Sequence, residues 1–138
     1  MALGADLDLQ RAIVTRLKAS TDLQALIANP IRLFQDVPPG PTFPYVTLGP
    51  SQRLPDLAEC IDGAEIFVDL HVFSRGAGYE QSKRIGATLI DELHDATLSL
   101  SEHRCLLIEL SDERYFVESD NLTKHGVITF RALVEPTS

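Results

Sequence analysis

The stretch Phe73-Ser74-Arg75-Gly76-Ala77-Gly78 is the part of this chain whose residue types and spacing come closest to a chemical motif. A strand, a glycine-rich turn and a helix N-terminus in succession present main-chain N–H groups to a phosphate. The spacing does not fit that use. A dinucleotide fingerprint needs a third glycine where Gln81 stands, and a P-loop needs Gly-Lys-Ser/Thr where the chain reads Ser82-Lys83-Arg84. The stretch therefore reads as a tight turn.

The other candidates thin out in the same way. The histidines are His71, His94, His103 and His125, with no HExxH and no pair at ligand spacing on a helix. His71 and Asp69 stand two apart and would share a strand face, like the start of a proton relay, but strands place many such pairs on their surfaces without chemistry. No Gly-x-Ser-x-Gly occurs. Asp91, Glu92 and Asp95 cluster where a helix is expected and read as its solvated face. No nucleophile, base and orienter assemble, so no catalytic residue, cofactor or metal site is expected.

Composition narrows the remaining classes. The chain has 138 residues, a one-domain length, and 44% are hydrophobic, enough for one core. No apolar run approaches the roughly 18 residues of a membrane helix, and the start of the chain has no secretory signal pattern. Acidic residues number 20 against 12 basic ones, a net charge of −8, which repels phosphate backbones. Cys60 and Cys105 sit in no metal or redox spacing; two reduced thiols of a cytoplasmic protein are expected, with a disulfide left open.

The elements that carry these residues alternate clearly enough to read. Leu9, Ile13 and Leu17 recur at helical spacing over residues 7–19, with Asp6 as a candidate N-cap. Thr21 or Asp22 would cap a second short helix ending at Pro30. Ile31–Phe34 is a short strand, and Tyr45–Leu48 a second that runs on past a bend at Gly49-Pro50. Residues 54–63 read as an exposed loop. Residues 65–74 form a strand whose Ile66, Val68, Leu70 and Val72 face one way. Glu65, Phe67, Asp69, His71 and Phe73 face the other, a mixed face that predicts partial covering by another element or a partner chain. A helix over Tyr79–Ala96 carries Ile85, Leu89 and Leu93, widened by Ile90. Strands over 104–110, resuming at 114–117, and over 126–135 follow, with a turn at Ser119-Asp120-Asn121. The expected fold is α+β: a mainly antiparallel four- to five-stranded sheet with helices packed on one face.

Four segments, in order, together resemble one family. They are Leu9-Gln10-Arg11-Ala12-Ile13; Arg32-Leu33-Phe34-Gln35-Asp36-Val37-Pro38 with Phe43-Pro44-Tyr45-Val46-Thr47-Leu48-Gly49; Leu70-His71-Val72-Phe73-Ser74-Arg75 through Leu93-His94-Asp95-Ala96; and His125-Gly126-Val127-Ile128-Thr129-Phe130-Arg131-Ala132. They resemble the tail terminator, or tail completion, proteins of long-tailed phages and gene transfer agents, over nearly the whole chain. Phe73 stands where that family usually carries Trp.

The resemblance implies one domain over residues 1–138, a structural role and no enzyme. It implies a homo-hexameric ring at the head-proximal end of the tail tube, in the tail-neck region of a virion or virus-like particle assembled in the host cytoplasm. Such a ring would stop tube polymerisation and join the tail to a head-side stopper protein. Its partners would be further copies of itself, the tail tube protein and the stopper, with DNA passing through the lumen without specific binding and no membrane. Another neck protein (a stopper or adaptor) and, from a different class, a small ligand-binding or enzymatic α+β domain stay open.

Partner contacts are expected in two loops and on the second face of the central strand. Val37, Pro38, Pro39 and Phe43 lie in a segment stiffened by proline, which loses less entropy on docking. Leu54, Leu57 and Ile61 are apolar residues in a loop expected to lie away from the core. Phe67 and Phe73 complete the set.

Overall fold

The computed structural model describes residues 4–56 and 63–137; Leu57, Cys60 and Ile61 lie outside the described residues. Helix α1 (Ala5–Lys18) buries Leu9, Ile13 and Leu17 completely, as their spacing requires. Its N-cap is Gly4 rather than Asp6. Asp6 sits in the first turn, where a carboxylate suits the positive helix end, and the Ser51 hydroxyl lies 2.8 Å from both its oxygens. Helix α2 (Thr21–Leu26) is capped by Ser20, one residue before the expected candidates, whose Oγ accepts from Leu23 N at 3.2 Å.

Five strands follow: β1 (Leu33–Phe34), β2 (Tyr45–Asp56), β3 (Gly63–Ser74), β4 (His103–Val117) and β5 (Lys124–Pro136), with helix α3 (Glu80–Leu93) between β3 and β4. Their spatial order is β1-β2-β3-β5-β4. Every pairing is antiparallel except β1 with β2, which is parallel. The expected α+β sheet is thus present with five strands, mixed only at its short β1 edge.

Alternation sets the two faces. Ile66, Val68, Leu70 and Val72 of β3, with Ile128, Phe130 and Ala132 of β5, join Ile85, Leu89 and Leu93 of α3 and the α1 stripe in one core. Each such aliphatic side chain contributes roughly 1.5–3 kcal/mol by leaving water. No helix among the described residues is long and apolar enough to cross a membrane.

Strand β1 starts at Leu33 rather than Ile31, and three larger differences from the expected boundaries each have a local reason. Leu54 belongs to β2, paired with Glu65, and not to a loop. The two expected segments of β4 are one strand, because register steps at Cys105/Leu107 and Leu110/Asp112 absorb an extra residue each without breaking the ladder. Helix α3 stops at Leu93, short of Ala96: His94 is extended and Asp95 has φ 57°. There Asp95 N donates to Ile108 O at 2.8 Å and Leu110 N donates to His94 Nδ1 at 3.0 Å, so the helix end is tied to β4 instead of continuing.

Two glycines admit one aromatic wedge between α3 and the sheet. A Cβ on Gly86 would stand 2.0 Å from the Tyr115 hydroxyl, and one on Gly126 would stand 2.8 Å from the Tyr115 ring. Tyr115 fills that gap, and burial together with its hydrogen bond to Glu113 pushes its phenol well above the ordinary range.

Candidate interaction surface

The helices leave one face of the sheet uncovered by any described element. Its residues are the second set of the alternation: Glu65, Phe67, Asp69, His71 and Phe73 on β3, flanked by their partners on β2 and β5. Strand register places Tyr45 opposite Phe73, Phe73 opposite His125 and Phe116 opposite His125, while Phe34 of β1 stands beside Tyr45. Every strand contributes one ring. The centroid separations across the sheet are 5.9 Å (Phe34–Tyr45), 5.0 Å (Tyr45–Phe73), 4.3 Å (Phe73–His125) and 4.7 Å (His125–Phe116). These are stacking and tilted contacts, each contributing about 0.5–1.5 kcal/mol beyond area burial.

Phe43 joins the row from the proline-rich segment. Its ring lies 5.1 Å from Tyr45, and the Arg75 guanidinium sits 4.2 Å above it. Arg75 also donates from Nε to Thr123 Oγ1 at 3.2 Å and pairs with Asp120 at 3.8 Å. The arginine of the would-be phosphate turn is thereby committed to a ring and to the β4–β5 turn. The Gln35–Val37 segment borders a shallow groove floored by Tyr45, His71, Phe73 and His125. Gly49 keeps that floor close: a Cβ there would lie 2.5 Å from His71 Nε2.

Asp69 and His71 share a strand face, as their spacing predicts, but have different hydrogen-bond partners. Asp69 accepts from Thr129 Oγ1 at 2.7 Å, while His71 Nδ1 meets His125 Nε2 at 2.7 Å and His125 Nδ1 meets Glu118 Oε1 at 2.6 Å. Burial, and then the neighbouring His125, hold the His71 imidazole below its usual value. The imidazoles meet each other, Glu118 and aromatic rings, with no hydroxyl or thiol nucleophile among these contacts. Further along the face, Arg131 bonds Glu65 and reaches Glu109 at 3.3 Å. Of the carboxylates at and just past the end of α3, Glu92 pairs with Arg16 at 3.9 Å, the Asp95 carboxylate lies 3.4 Å from its neighbour His94, and Asp91 is exposed.

One buried polar cluster escaped the sequence reading. Asp8, only 1% exposed, accepts from Ser101 N at 2.9 Å, Glu102 N at 2.8 Å and meets His103 Nδ1 at 2.8 Å. Burial opposes its charge, but the imidazole and the two amides outweigh burial and hold the carboxyl below the usual carboxylate range. It clasps α1 to the start of β4. No group of three metal-ligating side chains occurs among the described residues.

Of the residues expected at an interface, Phe43, Phe67 and Phe73 are half-buried, Phe43 and Phe73 in the aromatic row and Phe67 further along β3 on the same open face. Val37, Pro38 and Pro39 are exposed, Val37 lining the groove beside the row, and Leu54 is exposed on β2. Leu57 and Ile61 lie outside the described residues. Phe34, Tyr45, His125 and Phe116 were missed, since only register brings them together.

The tail completion protein gp17 family matches residues 11–135. This chain belongs to that family. It is a structural tail component, not an enzyme. The chain is similar to one in the virion of a native gene transfer agent particle, with 28% identity, a TM-score of 0.86, and coverage of 96% of this chain and 99% of that one. It also shares the fold of the bacteriophage SPP1 gp17 protein, with 23% identity, a TM-score of 0.60, and coverage of 93% and 89%. No curated protein matches it in sequence.

Proposed function

We propose that this tail completion protein forms a ring, a hexamer, that caps the head-proximal end of the tail tube, stops its polymerisation and joins the tail to the head-side stopper. The observation that carries the reading is the agreement over almost the whole length with a chain of a gene transfer agent virion. The helix-free aromatic face supports it, as a surface that a neighbour would cover. Its contacts are Val37, Pro38, Pro39, Phe43, Leu54, Phe67 and Phe73, with Leu57 and Ile61 beyond Asp56. The net charge of −8 suits a lumen through which DNA passes without sticking.

Deleting the gene and imaging the tails tests this reading. Overlong tubes, or tubes of normal length without heads, are expected, with rescue by the intact protein. Normal tails joined to heads in the deletion strain would remove the proposal. Among variants, Val37→Ser combined with Leu54→Ser is expected to weaken tail completion more than it lowers the unfolding temperature.

A further inference from the structure

We propose that the ring closes by sheet continuation: the outer edge of β4 from Ser111 to Val117 in one copy pairs antiparallel with the outer edge of β2 at Ser51–Arg53 in the next. This rests on the ring reading above and names the surface that builds it.

In an antiparallel ladder, every second residue turns its main-chain N–H and C=O away from its partner strand. Ile108 and Leu110 do so on β4, where Asp95 N and His94 Nδ1 satisfy them. They stand opposite Ala132 and Phe130. Glu113, Tyr115 and Val117, opposite Ile128, Gly126 and Lys124, therefore share that outward phase. No hydrogen bond among the described residues satisfies their outward main-chain groups. The α3 end thus covers one half of the β4 edge and leaves the other half open, with Phe116 38% and Val117 39% exposed beside it.

The opposite side of the sheet offers a matching edge. Strand β1 pairs only with Val46 and Thr47 of β2. Val46, opposite Val72, donates outward to Arg32 O, so Ser51 and Arg53, opposite Val68 and Ile66, also turn their main chain outward. Unpaired edges of this kind are templates for strand addition.

Three observations select a second copy as the occupant. Successive antiparallel pairs from β2 through β3 and β5 make β4 antiparallel to β2. A neighbour in the same orientation therefore offers its β2 to β4 in the antiparallel sense. The two edges are different surfaces, so the contact is head-to-tail, the type that closes rings rather than two-fold dimers. The charges also match. Asp112 and Glu113 make the β4 stretch acidic despite Arg114, whereas the β2 stretch carries the single charge of Arg53. Arg53 and Glu113 are both exposed, both outward in phase, and both on the helix side of the sheet, so they can stand opposite one another.

The test uses the full chain, in solution and on assembled tails. Glu113→Pro removes one outward N–H and no bond to β5. Both it and Glu113→Ala lose the hydrogen bond from the Tyr115 hydroxyl, so the proline variant is expected to abolish rings while unfolding at the same temperature as Glu113→Ala, which keeps them. If the proline variant fails to fold, charge reversal replaces it: Arg53→Glu alone and Glu113→Arg alone are expected to lose rings, and the double variant to regain them. Rings that survive Glu113→Pro in a folded protein, or survive both single reversals, overturn the edge pairing and leave the ring reading standing. Single variants that lose only tube attachment, with no rescue in the double, overturn it in favour of the tube as occupant. Wild-type protein that forms no ring either in solution or on tails overturns both.

Discussion

His71 Nδ1 lies 2.7 Å from His125 Nε2, so one of these nitrogens donates the proton and the other accepts it. The remaining nitrogen of His125 faces Glu118 at 2.6 Å, and Asp69 and Arg114 also act on His71, with opposite signs. The pair can hold its bond with one shared proton between the rings, but not with two.

Acid should therefore weaken the fold through His71. The folded-state value of His71 is lowered, first by burial and then by His125, so the unfolded chain binds more protons just below the ordinary histidine value of about 6.5. The stability it supplies is present above that value and is lost as pH falls toward and through the lowered one. Unfolding temperature measured over this range should drop with pH, and His71→Gln should flatten the slope. Parallel slopes in the two proteins would show that His71 does not titrate in this way.

Ser74 ends β3 fully buried, with its hydroxyl lacking a hydrogen-bond partner among the described residues. An unsatisfied buried hydroxyl costs about 1–3 kcal/mol. Ser74→Ala should raise stability by up to roughly that amount or leave it unchanged. Denaturant unfolding is the measurement, and a clear loss of stability would mean that the hydroxyl has a partner.

How much of this was legible in the sequence follows from the range of each signal. Periodicity is local, so Leu9, Ile13 and Leu17, and Ile66 through Val72, marked the buried faces correctly, and Leu89 is 1% exposed as its spacing predicts. The aromatic row is not local. Phe73 and Phe43 stood out as apolar residues on a polar face or in a loop, but Tyr45, His125 and Phe116 join them only through strand pairing, which one sequence does not encode in any short window. Asp8 was invisible for the same reason: its three partners lie more than 90 residues away. The sharp end of α3 depends on Asp95 and His94 finding β4, again a tertiary event.

Gly86 provides a test of the packing between α3 and the sheet. In a helix interior, Gly→Ala ordinarily gains up to about 1 kcal/mol. Here the added methyl would stand 2.0 Å from the Tyr115 hydroxyl and 3.3 Å from Ile128 Cδ1. Overpacking of this kind costs about 1–3 kcal/mol, so Gly86→Ala should destabilise the protein. Restoring stability with Tyr115→Phe in the same chain would place the conflict at the hydroxyl. A stabilised Gly86→Ala variant would show that Tyr115 moves aside freely.

Asp8 should be a buried carboxylate on which acid stability depends. It is almost fully buried and receives two main-chain N–H bonds, beside the His103 ring. Removing one member of a buried, hydrogen-bonded pair costs roughly 3–5 kcal/mol, because the partners are left without an acceptor. Asp8→Ala should fall in that range, and Asp8→Asn should lose less, since its amide oxygen can still accept one N–H. The sign of the pH effect is also set. The folded-state value lies below the ordinary 3.8, so the contribution is complete above that value and disappears as pH falls through the lowered one. Acid unfolding of the wild type below about pH 4 should thus be steeper than that of Asp8→Asn. Matching acid limbs, or an Asp8→Ala protein as stable as the wild type, would show that the clasp between α1 and the start of β4 carries no net stability.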